Sequence, residues 1–196
     1  SDELRNKLIS EYKNNWQEVS KKQETNMDVL EYVVKKFETM YKDDPKNAKY
    51  IATFFKTATN SQGHILRMAA PLRAYSTNLS KGMMREEHTM PSSMVGNYLL
   101  YSILDGNVDS VFKGIRKNYF QVALNKDDDN KLKPVGLNEN MPKGWTLADN
   151  SWARYFNTLV NSIDGGIDPN GIVFFETNKS VSQTFNVGFD GTVIPD

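Results

Sequence analysis

Apolar residues recur three and four apart through the first sixty positions, the spacing that lines one face of an α-helix. Leu4, Leu8, Tyr12, Trp16 and Val19 form one such stripe, with Arg5, Lys7, Glu11, Lys13 and Glu18 on the other faces. This predicts a helix over 3–22. Leu30, Val33, Val34, Phe37, Met40 and Tyr41 form a second, over 27–42, with Asn26 as N-cap and Asp28 and Glu31 in the first turns, where the helix dipole favours acids. Asp44-Pro45 then places a capping acceptor before a proline suited to the first helical position, and Tyr50, Ile51, Phe54, Phe55 and Ala58 extend over 46–59. Between Gly63 and Leu79 the pattern fits one helix kinked at Pro71 or two short ones, and the kink is the preferred reading.

Pro91-Ser92-Ser93 opens a further helix over 92–105, with Met94, Val95, Tyr98, Leu99 and Leu104 apolar and Asp105-Gly106-Asn107 as its stop. Val111, Phe112, Ile115, Tyr119 and Val122 predict another over 109–123, and Trp152, Phe156, Leu159 and Ile163 a last one over 150–163, ended by Gly165-Gly166. Residues 125–150 hold Pro134, Gly136, Pro142 and Gly144 among charged residues and read as a long loop. Past residue 170 the period changes: Ile172 to Glu176 and Val181 to Phe189 are β-prone and predict a terminal hairpin around Asn178-Lys179. The expected fold is mainly α, a helical bundle with a long irregular loop and a small C-terminal β hairpin. Its parts are a helical domain over 1–124, a contact loop over 125–150, and a terminal helix with a β tail over 151–196, packed as one domain.

Composition narrows the chemistry. The 196 residues contain no cysteine, which removes disulfide scaffolds, thiol nucleophiles and cysteine-rich metal centres. Twenty-four basic and 24 acidic side chains cancel, so net charge does not steer the chain toward nucleic acid, and no apolar run is long enough to span a bilayer. Charge drifts only from mildly basic at the N-terminal end to mildly acidic at the other. The start, Ser1-Asp2-Glu3-Leu4, has neither an initiator Met nor a signal-peptide pattern. Walker, GxGxxG, GxSxG and SxxK motifs do not occur, and no cofactor is implied.

Arg85-Glu86-Glu87-His88 gathers two carboxylates and an imidazole, the material of general acid–base catalysis or of a metal-dependent nuclease or phosphoesterase. His88 would be base or ligand, Glu86 and Glu87 ligands, and Asp127 or Asp129 could join them from the loop. The other histidine, His64, offers no zinc-binding spacing with it. Asp127-Asp128-Asp129 also resembles half a calcium loop, but the sixth and twelfth positions from Asp127 are Leu132 and Asn138 where an EF-hand needs Gly and Glu. Lys113, Arg116, Lys117 and Tyr119 combine cations with an aromatic ring, as a single-strand nucleic-acid surface does, though three cations are also the ordinary wet side of a helix. Leu137, Met141, Trp145 and Leu147 are apolar anchors on a polar loop that gains order only where they find cover, and Trp145 is the expected interface anchor.

Five phrases stand out together: Glu87-His88-Thr89-Met90-Pro91-Ser92, Asn118-Tyr119-Phe120-Gln121, Met141-Pro142-Lys143-Gly144-Trp145, Ala153-Arg154-Tyr155-Phe156-Asn157 and Gly166-Ile167-Asp168-Pro169-Asn170. They resemble blocks in segments of very large virion proteins of tailed bacteriophages, over about residues 87 to 170. The resemblance implies a processed piece of a longer polypeptide, packed in or on a virus particle, in the virion or the host cytoplasm. It carries over no catalytic residue. The leading expectation is therefore a non-enzymatic structural or protein-interaction domain whose partners are other protein chains. The metal-dependent nuclease and the nucleic-acid-binding module are the alternatives.

Overall fold

A computed structural model describes residues 2–47, 49–51, 53, 55, 63–78 and 84–185, with the side chains of 63–65 left out. The two N-terminal stripes belong to one helix, α1 (Asp2–Asp43). Asn26, expected to cap a second helix, lies inside it and donates its side-chain amide to Met68 O at 3.0 Å. The first proline or glycine of the chain is Pro45, so nothing interrupts the helix before that point. The described positions between 49 and 55 are helical, and the rest of the 46–59 helix, with Phe54 and Ala58, lies outside the described residues.

The largest departure from expectation follows. Pro71 does not kink a helix: α2 (Gly63–Met68) ends before it, and β1 (Leu72–Ser76) begins directly after. The residue before a proline is steered away from the helical region, which makes the boundary a natural one. β2 (Met84–His88) follows, and α3 (Ser92–Asp105) and α4 (Val108–Asn118) form a helical hairpin closed by Gly106 at φ 71°. α4 stops short of the expected 123, because residues 121–125 form β3 (Gln121–Asn125). The 150–163 helix is likewise divided. A 3₁₀ turn (Ser151–Arg154) is followed by α6 (Thr158–Asn161), whose N-cap Asn157 accepts from Val160 N at 3.0 Å. In the long loop, α5 (Lys126–Asp129) starts on an Asn125 cap.

With β4 (Ile172–Phe174) the strands form one mixed sheet in the order β2-β3-β1-β4. β1 runs parallel to β3, while β2 and β4 pair antiparallel with β3 and β1 on the two edges. The described residues are mainly helical, so the mainly-α expectation holds at that level, but the β component is this four-stranded sheet and not a terminal hairpin. β4 pairs with β1, one hundred positions earlier, and residues 181–184 are helical (α7, Val181–Thr184); Val187 and Phe189 lie outside the described residues.

Three clusters hold the layers together. The first half of α1 covers one face of the sheet, where Ile9, Tyr12 and Trp16 meet Leu72, Tyr75, Ala123 and Phe175. Trp16 stacks on Phe175 at 5.3 Å and donates its indole N–H to Leu72 O at 2.7 Å. The other face packs Val122 and Leu124 against Trp152, Tyr155 and Phe156. The second half of α1 joins α3 and α4 in a helical cluster around Val34, Leu99, Phe112 and Tyr119.

Candidate functional site

β2 is an edge strand, and a strand sends successive side chains to opposite faces. Glu86 borders a groove beneath α1 with Tyr12 and Trp16, where its charge joins burial in raising the Tyr12 phenol above its usual range. Glu87 points the other way, to an ion pair with Arg154 at 2.8 Å. The neighbouring carboxylates that the sequence offered as one ligand set therefore leave opposite faces of β2, although Glu86 also borders the cleft beside Glu87.

Around Glu87, Arg67, His88, Asn138 and Arg154, with the start of α3, surround a polar cleft of about 510 Å³. Arg154 is its foundation. Only 1% exposed, it donates through Nε to Leu137 O at 2.7 Å and through its two terminal nitrogens to Asn138 O, His88 O and Glu87. Tyr155 donates its hydroxyl to the same His88 carbonyl at 3.1 Å. One guanidinium thus ties the edge strand, the long loop and the 151–154 turn together. Sequence reasoning did not single out Arg154; the available signal was a lone cation within the aromatic run Trp152-Ala153-Arg154-Tyr155-Phe156.

Of the three loop aspartates only Asp129 reaches this network. Arg85, on the same face of β2 as Glu87, holds it at 2.8 Å. Burial raises the Glu87 carboxyl to about 7; Arg154 opposes the rise, and the nearby Asp129 charge adds to it. Asp128 pairs with Lys131 at 3.0 Å, and the Asp127 backbone N–H closes the Asn125 cap. His88 turns away from Glu87: its ring stacks on Tyr119 at 5.7 Å, and Nε2 lies 3.3 Å from Arg67 O and 3.2 Å from the Gln121 amide nitrogen. Burial pushes its pKa below the usual value, so the imidazole is neutral at pH 7. No group of three or more His, Asp or Glu among the described residues is arranged to hold a metal ion. The His64 side chain lies outside the described residues.

The other expected sites also change. Lys113 and Lys117 are exposed, but Arg116 is paired with Asp28 at 2.8 Å and Glu31 at 2.7 Å. Tyr119 is fully buried with its hydroxyl on Leu66 O at 2.7 Å, so it has no face to offer a base. The loop anchors find cover in their own chain: Leu137 and Met141 are buried, while Trp145 and Leu147 pack half-buried on the helical cluster. Trp145 donates its N–H to Asn150 O at 2.9 Å, and Asn118 secures Leu147 O at 3.1 Å.

No family model, curated protein or solved structure matches this chain. α1 carries a second stripe, turned away from its buried Met27, Leu30 and Val34: Val29 is 56% exposed, Tyr32 62%, Val33 39% and Met40 51%. At 100° per residue these positions fall within about one third of the helix circumference.

Proposed function

We propose that the chain is a non-enzymatic interaction domain that binds another protein chain along the outward stripe of α1. The supporting observation is that stripe itself. Four large apolar side chains share one helical face in water, although their own fold already has a core on the opposite face. Exposed apolar side chains grouped on one helical face, here Val29, Tyr32 and Val33 with Met40 two turns on, mark docking sites, whereas scattered ones do not. On this reading the cleft is a structural joint, because Arg154 is consumed by three backbone carbonyls and Glu87, and His88 by its stacking and backbone contacts. A role within a virus particle, which the resemblance to virion proteins implies, is part of the same proposal.

The test uses folding stability. At a protein concentration low enough to keep the chain monomeric, the triple variant Val29→Gln, Tyr32→Gln, Val33→Gln should keep its stability within about 0.5 kcal/mol, as substitutions at exposed positions do. If instead the variant loses about 2 kcal/mol or more in urea denaturation, the stripe serves the chain's own fold and the docking reading fails.

A further inference from the structure

We infer that the occupant of the α1 stripe is a second copy of this chain, its α1 packed antiparallel across a two-fold axis between Tyr32 and Val33. The inference rests on the docking reading above and adds to it the partner and the orientation. Its basis is the order of side chains along one exposed line: Lys22, Thr25, Val29, Tyr32, Lys36, Met40 and Asp43 follow one another at intervals of three and four. Val29, Tyr32 and Met40 lie in the middle with Lys36 among them, its ammonium 5.2 Å from the centre of the Tyr32 ring, and a cation and an anion mark the two ends.

Lys22 and Asp43 stand equally far from the Tyr32–Val33 midpoint, about 16 Å each at the 1.5 Å rise of a helix. A two-fold axis there brings Lys22 of each copy opposite Asp43 of the other and stacks the Tyr32 and Val33 positions on their mates. Both charged residues are exposed, and neither holds an ion pair among the described residues. Several neighbouring charges are already used within the chain: Lys35 binds Glu31 and Asp109, Lys42 binds Glu38, Asp28 binds Arg116, and Lys36 lies over the Tyr32 ring. Parallel packing would set Lys22 against Lys22 and Asp43 against Asp43. Antiparallel packing also aligns the two helix dipoles favourably, and it makes the contact isologous, so that it closes at two copies.

Sedimentation equilibrium over about 1 to 500 µM tests this, with the particle mass expected to move from 22.3 kDa toward twice that value. The charge reversals Lys22→Asp and Asp43→Lys should each weaken dimerisation about tenfold, since each places two like-charged pairs in the contact. Mixing the two single variants should restore it, because the mixed dimer then holds two opposite-charge pairs. A monomer at every concentration would overturn the inference, as would a dimer indifferent to both reversals and to their mixing. If the chain is monomeric and the triple glutamine variant keeps its stability, self-association falls while docking of a different chain stands. If the triple variant is itself unstable, the docking reading falls as well.

Discussion

Replacing Glu87 by Gln should stabilise the protein in neutral solution, and the size of the gain follows from where the carboxyl sits. The side chain is 22% exposed, faces Arg154 on one side and the Arg85-held Asp129 on the other, and titrates at about 7 where an ordinary glutamate titrates at 4.5. A folded-state value above the unfolded one means that the fold holds this proton more tightly. The contribution is then complete below about pH 4.5 and is lost as pH rises toward 7. That interval corresponds to about 3 kcal/mol. Gln has the shape of the protonated acid and does not ionise. Urea denaturation of both proteins from pH 4 to pH 8 should give nearly equal stabilities at the acid end and a difference that grows to about 2–3 kcal/mol in favour of Glu87→Gln at pH 8. His88 contributes with the opposite sign, since its lowered pKa costs stability as pH falls through its ordinary value of 6.5, but it is common to both proteins and cancels in the difference. A difference that stays flat with pH, or a variant less stable at pH 8, would mean that buried Arg154 requires the Glu87 charge, and the argument from burial would be refuted.

Arg154→Leu should cost about 3–5 kcal/mol in the same assay, because it leaves the carbonyls of Leu137 and Asn138 without their donor and unties the edge strand from the loop; a loss under about 1 kcal/mol would remove Arg154 from its role as the joint. Gly165 and Gly166 form a matched pair, both at positive φ (80° and 77°). Gly165→Ala meets open space and should cost about 1 kcal/mol for the left-handed backbone alone, whereas in Gly166→Ala the new methyl would sit 2.9 Å from the Asn161 Cα. Thermal denaturation should rank Gly166→Ala clearly below Gly165→Ala, and equal melting temperatures would show that the Asn161 backbone gives way.

The helices that could be read from the sequence are those with one wet face and a marked end. α3 and α4 carry apolar stripes, and Pro91 and Gly106 bracket the first of them. α1 could be read in its two stripes but not in its length, because Asn26 and Asp28 are as compatible with a helix interior as with a start. The sheet was hidden for a different reason. β3 is buried at all five positions and β1 at four of five, so neither shows the alternation that betrays a half-exposed strand, and Val122 at the start of β3 could be counted as the last residue of the α4 stripe. At the site, Glu87 and Asp129 were both candidates and do meet. They meet directly through a side-chain hydrogen bond, with Arg85 on Asp129 and Arg154 on Glu87, and a buried arginine in an aromatic run looks from sequence like any surface cation.

The stacking of Trp16 on Phe175 sets the order in which this chain can fold. α1 leaves the ribosome before any strand of the sheet, yet the strand it covers, β1, gains its edge partner β4 only when residues 172–174 have been made, and the ring that Trp16 needs comes one residue later. Until residue 175 has been made, the first half of α1 has no finished sheet to cover, although α3 and α4 are already there for its second half. Closure of the sheet is the most non-local step, which puts it late and makes it slow. Trp16 fluorescence should therefore develop in the last refolding phase, after far-UV helix signal has largely recovered. A chain released before residue 175 should present the same sheet-binding surface to chaperones that the finished protein hides.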